Sequence, residues 1–413
     1  MKKFLVASAA ALGSTLIGVV NSIVVVRLWP DVAAAEFFQI ASLAILVAVV
    51  GEAGLGNFAV HDSAKRRGTP DEQWYVNQAL RVAARRGVPA AAAAALLGHV
   101  VFGFGPAAAG SAALATWSAA VAIVAQSLFR GLGRDLLASL GGPVGATILS
   151  GVAVGVGAIA RGLDPVHLAA LGYTVTGVAS YLALWRPTPH VPATPADLSL
   201  RRTTKVGVGN VCNAAGRQLD IWIAGVLLSG AAFNSYALAT KIAASVGVVA
   251  YAARQASAAD TFRWVGGDAE AGRSIRSVQR LGLTVTVVLS GVCIVLAPPL
   301  GTLVFGADIA LDRGVLAVLL LGYVLTAFSG SAMIVLVAAE RSDIVLTASL
   351  TALFGALVMS GTVAYAGGTS LAAAAFGLGW LGLVALYAGG ATQRSLNLTT
   401  FVTPVPRPNA RVQ

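Results

Sequence analysis

The sequence predicts an all-α polytopic membrane protein of about twelve transmembrane helices in two six-helix lobes. Three observations carry this. Of the 413 residues, 57% are hydrophobic and 11% charged, with a mean hydropathy of +0.80. Soluble domains carry roughly 25% charged residues, so too little polar surface remains to cover a water-soluble globule. Apolar runs of about 20 residues recur from end to end, each long enough to cross roughly 30 Å of hydrocarbon as a helix. The basic residues, finally, fall almost wholly on alternate loops. Ten-residue segments of alternating polarity, as in a membrane barrel, are absent.

The predicted spans are 4–28, 34–60, 86–104, 108–129, 141–160, 166–185, 205–228, 232–253, 281–304, 314–338, 344–365 and 369–390. The opening Met1–Lys3 and the hydrophobic stretch after it resemble a signal peptide, but the stretch is long and a second span follows at once, so it reads as an uncleaved first helix. With the N-terminus inside, 23 of the 28 Lys and Arg lie on cytoplasmic segments, three (Arg27, Arg161, Arg313) outside, and two (Arg217, Lys241) within spans. This positive-inside split places both termini in the cytoplasm. It also explains most of the net charge of +11 without nucleic acid. Arg66, Arg67, Arg85 and Arg86 are expected to touch anionic headgroups.

A proline-rich stretch, Trp185 to Arg202, follows the sixth span and divides the chain. The expected organisation is an N-terminal lobe over 1–186, a cytoplasmic linker over 187–203, a C-terminal lobe over 204–397 and a tail over 398–413. The halves look alike. A constant offset of 199 sets Leu28 on Leu227 and Phe37 on Tyr236. Phe129–Leu140 and Val337–Ser349 occupy matching inner loops, with Asp135 on Asp343, and long basic loops follow spans two and eight. Six spans per half keep both halves in one orientation, as parallel repeats about an axis along the membrane normal.

Ionised groups at mid-bilayer cost about 2.5–3.5 kcal/mol on insertion scales. Glu52, Arg217, Asp220 and Lys241 therefore stand out. Asn210, Asn213, Arg217 and Asp220 follow one another at steps of three, four and three, which is one face of a helix. Asp220 and Lys241 lie ten residues either side of the turn between spans seven and eight, a natural ion pair in an antiparallel hairpin. Two readings stand side by side: a buried pair that pins two helices, or a cavity-lining cluster whose surplus positive charge meets an anionic substrate. Protonation of Asp220 as an ion-coupling step is compatible with the second. Glu52, at the inner end of span two, is either interfacial and solvated or a proton or cation site facing the cavity. His99 reads as a satisfied or interfacial histidine, Cys212 and Cys293 as small buried thiols. Gly151 and Gly155 suggest close helix packing, and Pro298 and Pro299 a kink or helix end. No metal-ligand spacing, Walker motif, nucleotide-binding loop or Ser/His/Asp set is present, so the expectation is no cofactor, no metal and no enzyme activity.

Four passages, Glu52–Val60 (EAGLGNFAV), Arg217–Ile242, Leu296–Asp308 and Leu336–Val345, resemble the polysaccharide flippases. These are the O-antigen and exopolysaccharide exporters of the multidrug/oligosaccharidyl-lipid/polysaccharide (MOP) exporter superfamily. The likeness of layout covers nearly the whole chain. The chain departs from that family in lacking an asparagine in span eleven and in being somewhat short. The resemblance implies two six-helix lobes around a V-shaped cavity that opens to either face of a bacterial cytoplasmic membrane. The implied substrate is a polyprenyl-pyrophosphate-linked oligosaccharide. Arg217 and Lys241 would attract phosphate, Asn210 and Asn213 bind sugar, and Asp220 and Glu52 serve charge balance or ion coupling. Expected partners are the lipid-linked glycan, membrane lipids and a glycan polymerase or glycosyltransferases, with no nucleic acid. The alternatives are a drug/cation antiporter of the same fold, which prefers spare carboxylates, and a non-transporting scaffold for glycan assembly.

Overall fold

A computed structural model describes Gly13 and residues 17–141, 143–160, 163–188, 198–265, 269–300, 311–339 and 341–396. Among them there is helix and no strand. The predicted segments 1–12 and 397–413, the middle of the linker and residues 301–308 of the span-nine passage lie outside the described residues.

The helices are α1 (Ile17–Leu28), α2 (Asp31–Glu52), α3 (Leu55–Arg66), α4 (Glu72–Phe102), α5 (Pro106–Gly131), α6 (Asp135–Leu140), α7 (Pro143–Ala160) and α8 (Pro165–Leu184). Then come α9 (Leu200–Leu227), α10 (Gly230–Val265), α11 (Ala269–Leu300), α12 (Arg313–Ser329), α13 (Ala332–Ala338), α14 (Ser342–Tyr365) and α15 (Thr369–Leu396). Helix falls on each of the twelve predicted spans, and seven of these helices are long and apolar enough to cross a membrane. Local chemistry sets several starts. Pro106 and Pro165 open α5 and α8, where a missing N–H costs nothing. Asp164 Oδ1 accepts the N–H of Val166 at 2.9 Å, and Asp312 Oδ1 accepts that of Gly314 at 2.7 Å. Large apolar side chains such as Ile159, Val295 and Phe354 stand exposed, as a lipid-facing surface requires.

Two predicted spans are not single helices. Span two breaks between α2 and α3, where Ala53 (φ 47°) and Gly54 (φ 79°) are both left-handed. Span ten breaks between α12 and α13 at Gly330 (φ 59°, ψ −129°), a conformation open only to glycine.

The chain forms two compact units, Met1–Asn234 and Ser235–Gln413. The first extends past the linker because α9 packs on α2, with Ser42 Oγ donating to the Gln218 carbonyl at 3.2 Å. Its cores are rich in alanine, and one gathers Leu55 and Ala59 of α3, Tyr75 and Leu80 of α4, Leu128 and Phe129 of α5, and Ala138 of α6. In the second unit α14 and α15 approach closely: a Cβ at Gly379 would lie 2.9 Å from Ala356 Cα. There Gln279 Nε2 donates to Ser257 Oγ (2.8 Å) and Ser331 Oγ (2.9 Å), a buried knot beside the Gly330 break.

The repeat persists in the backbone. At the offset of 199, α1 ends on Leu28 and α9 on Leu227, while α2 begins at Asp31 and α10 at Gly230. Phe37 and Tyr236 are both buried. In the inner loops Arg134 (φ −95°, ψ 62°) and Arg341 (φ −92°, ψ 53°) each cap the next helix. Their N–H groups return to the carbonyls of Phe129 (2.8 Å) and Leu336 (2.9 Å). This loop therefore aligns at an offset of 207, which sets Arg134 on Arg341 and moves Asp135 from Asp343 to Ser342. The breaks do not repeat: α10 runs straight through the positions matching Ala53 and Gly54, and α5 through that matching Gly330.

Candidate functional site

Glu52 ends α2, and the left-handed pair after it turns the chain so that α3 starts beside its carboxylate. Close approach to α9 explains the glycine at 54. A Cβ there would lie 2.6 Å from the Thr203 carbonyl oxygen and the Gly207 nitrogen, and one on Gly207 would lie 2.6 Å from the carbonyl carbon of Ala53. The two backbones touch, so side chains one turn away reach each other. Glu52 Oε2 accepts the Gly56 N–H in the first turn of α3 at 2.7 Å. Its Oε1 accepts from Asn210 Nδ2 at 3.2 Å. Asn57 Nδ2 donates in turn to Asn210 Oδ1 at 3.3 Å.

Arg86 on α4 closes this cluster. Its guanidinium reaches the Glu52 carbonyl (3.4 Å), Thr203 Oγ1 (3.3 Å) and the Leu198 carbonyl (2.5 Å). Four helices thus meet around one carboxylate that is 2% exposed. This corrects two expectations. Glu52 is not interfacial and solvated, because the α2–α3 corner folds it under α9. Arg86 is not free for headgroups, because it clasps the end of the linker.

Along α9 the predicted stripe is uneven. Asn210 is half-buried, Asn213 and Arg217 are exposed, and Asp220 is buried. Asp220 belongs to the first unit and Lys241, half-buried on α10, to the second. His99 Nδ1 lies 3.0 Å from the Phe104 carbonyl oxygen and is satisfied there. Cys212 is buried, Cys293 half-buried, and neither is in a disulfide. Gly151 packs on Ile17 of α1, whereas Gly155 faces open space. Among the described residues no three His, Cys, Asp or Glu side chains group as a metal site would need.

Sequence reading passed over Asn57, Thr203, Gly207 and the buried Gln39, whose amide approaches Gly225. The legible signals were the glycines of VGVGN (Val206–Asn210) and the Ala-Gly pair inside an apolar span. It also passed over Asn234, whose Nδ2 donates to Asp31 Oδ1 at 2.9 Å and ties the start of α10 to that of α2.

No family model matches the chain, and no curated protein matches it either. Its fold is nevertheless that of solved membrane proteins. It superposes on the lipid II flippase MurJ in an inward closed conformation with a TM-score of 0.72 at 11% identity, over 94% of this chain and 87% of that one. An outward-facing multidrug resistance MATE family transporter of the MOP superfamily gives 0.63 at 17% identity, over 94% and 93%. A MOP superfamily transporter from Pyrococcus furiosus, described as having a binding pocket of reversed polarity, gives 0.56 at 17% identity, over 94% and 93%. The chain is an all-α polytopic membrane protein whose fold is similar to that of MurJ and of the MATE transporters.

Proposed function

We propose that this protein is a transporter that carries a lipid-linked oligosaccharide, a polyprenyl-pyrophosphate glycan, across the bacterial cytoplasmic membrane by alternating access, for polysaccharide export. Both termini are cytoplasmic in this reading, and the lobes are those expected from sequence. The observation that carries it is the exposed Asn213–Arg217 edge of α9, which this reading places across the membrane as span seven. A guanidinium facing lipid there would cost about 2.5–3.5 kcal/mol, so it faces water or an anion. Arg217 and Lys241 attract the pyrophosphate, while Asn210 and Asn213 offer amides to sugar. Asp220 balances charge and Glu52 serves ion coupling. Likeness of fold to a lipid II flippase supports a lipid-linked cargo. Depletion of the protein in cells tests this: a lipid-linked oligosaccharide accumulates on the cytoplasmic leaflet while surface glycan falls.

A drug/cation antiporter is the second reading, favoured by the buried Glu52 carboxylate and by likeness to MATE transporters. Its mark is greater sensitivity to cationic drugs on depletion, without accumulation of lipid-linked glycan.

A further inference from the structure

The end of α3 and the turn between α5 and α6 bring several cations to one place. Lys65 and Arg67 close α3, Arg130 lies at the end of α5, and all three are exposed. The Arg67 guanidinium lies over Gly133, where a Cβ would sit 2.5 Å from Nη1. Arg66 is occupied elsewhere, stacked 4.7 Å above the Tyr75 ring and 4.0 Å from Asp62. The short helix α6 follows directly. It buries Ala138 in the same core as α3, α4 and α5 but leaves Leu137 and Leu140 exposed, at 43% and 44%.

Exposed guanidinium and ammonium groups beside two outward leucines match one kind of ligand. Phosphate meets the cations and acyl chains cover the leucines, which is the chemistry of a membrane–water boundary. A soluble anion would leave the leucines bare. The matching loop of the second unit lacks this character: Arg341 Nε lies 3.4 Å from Asp343 Oδ1, so its charge is balanced.

We propose that Lys65, Arg67, Arg130, Leu137 and Leu140 form a docking site for an anionic phospholipid, such as phosphatidylglycerol, on the first unit. Its leaflet follows from the orientation proposed above, whereas lipid affinity in micelles does not depend on it. The site shares no residue with the Glu52 cluster.

The test uses the full chain in a neutral detergent, titrated with phosphatidylglycerol or phosphatidylcholine and read by native mass spectrometry. Phosphatidylglycerol binds preferentially to the unaltered chain. Each basic residue near a membrane surface contributes about 1 kcal/mol, so Lys65→Gln/Arg67→Gln/Arg130→Gln weakens that binding about a hundredfold. Arg341→Gln leaves it unchanged. Leu137→Ser/Leu140→Ser, with every charge intact, also lowers affinity for the lipid. Equal binding of both lipids, unchanged affinity in either multiple variant, or displacement of the lipid by equimolar inorganic phosphate overturns the proposal.

Discussion

Asn210 donates to the Glu52 carboxylate at 3.2 Å across 158 residues of chain, and the same carboxylate accepts the Gly56 N–H at the start of α3. One buried acid therefore holds the broken span two together and fastens it to α9. Glu52→Ala leaves the buried Gly56 N–H without an acceptor, at a cost of about 1–3 kcal/mol, and the half-buried Asn210 amide at a smaller one. A lower melting temperature is expected, with a smaller loss in Asn210→Ala. The double variant falls short of the sum, because the two share one interaction. Strict additivity in the melting data would sink the linkage.

The backbone crossing at Gly54 and Gly207 sets a second test. Gly54→Ala meets both a left-handed φ and two backbone atoms at 2.6 Å, and Gly207→Ala meets the Ala53 carbonyl carbon. Neither obstacle can move without shifting a helix. Both variants are expected to lose most folded protein on size-exclusion chromatography. Gly155→Ala, which faces open space, should elute like the parent. A well-folded Gly54→Ala protein contradicts the crossing.

Arg217 and Asn213 are exposed, so Arg217→Gln and Asn213→Ala should leave thermal stability within about 0.5 kcal/mol. If they meet cargo, glycan export falls at least tenfold, a loss of about 1.4 kcal/mol of transition-state or binding energy. Full export in both variants refutes the assigned role. Charge reversal separates the two readings of Asp220 and Lys241. Export lost in Asp220→Lys and in Lys241→Asp, and still lost in the combined swap, fits a cargo-facing cluster. Restoration by the swap marks a pair that only pins helices.

Orientation is checked by a membrane-impermeant maleimide on intact cells, with Cys212 and Cys293 replaced by Ala. Leu163→Cys, in the exposed loop before α8, should label from outside, and Arg67→Cys only after permeabilisation. The reverse pattern would invert the topology.

Hydropathy made the membrane fold legible because most spans are contiguous apolar runs, and helix falls on every predicted span. Breaks at Ala53 and Gly330 were hidden, because a left-handed residue barely changes mean hydropathy. Glu52 was legible as a charge within an apolar run. Its partners were not: Asn210 reaches it only because Gly54 and Gly207 let two helices touch. Arg86 misled for the same reason, since a basic residue near a span end reads as a headgroup contact until the Leu198 carbonyl is seen on it.

The unequal placement of the breaks decides what an exchange of the halves would do. One half breaks in span two and the other in span ten, although both follow the same order of helices. Exchanging residues 37–66 for 236–265 would install a straight rod where the parent carries a jointed one, with no acid at the joint. The two halves thus share matching girders but have separate joints, so they are not interchangeable parts.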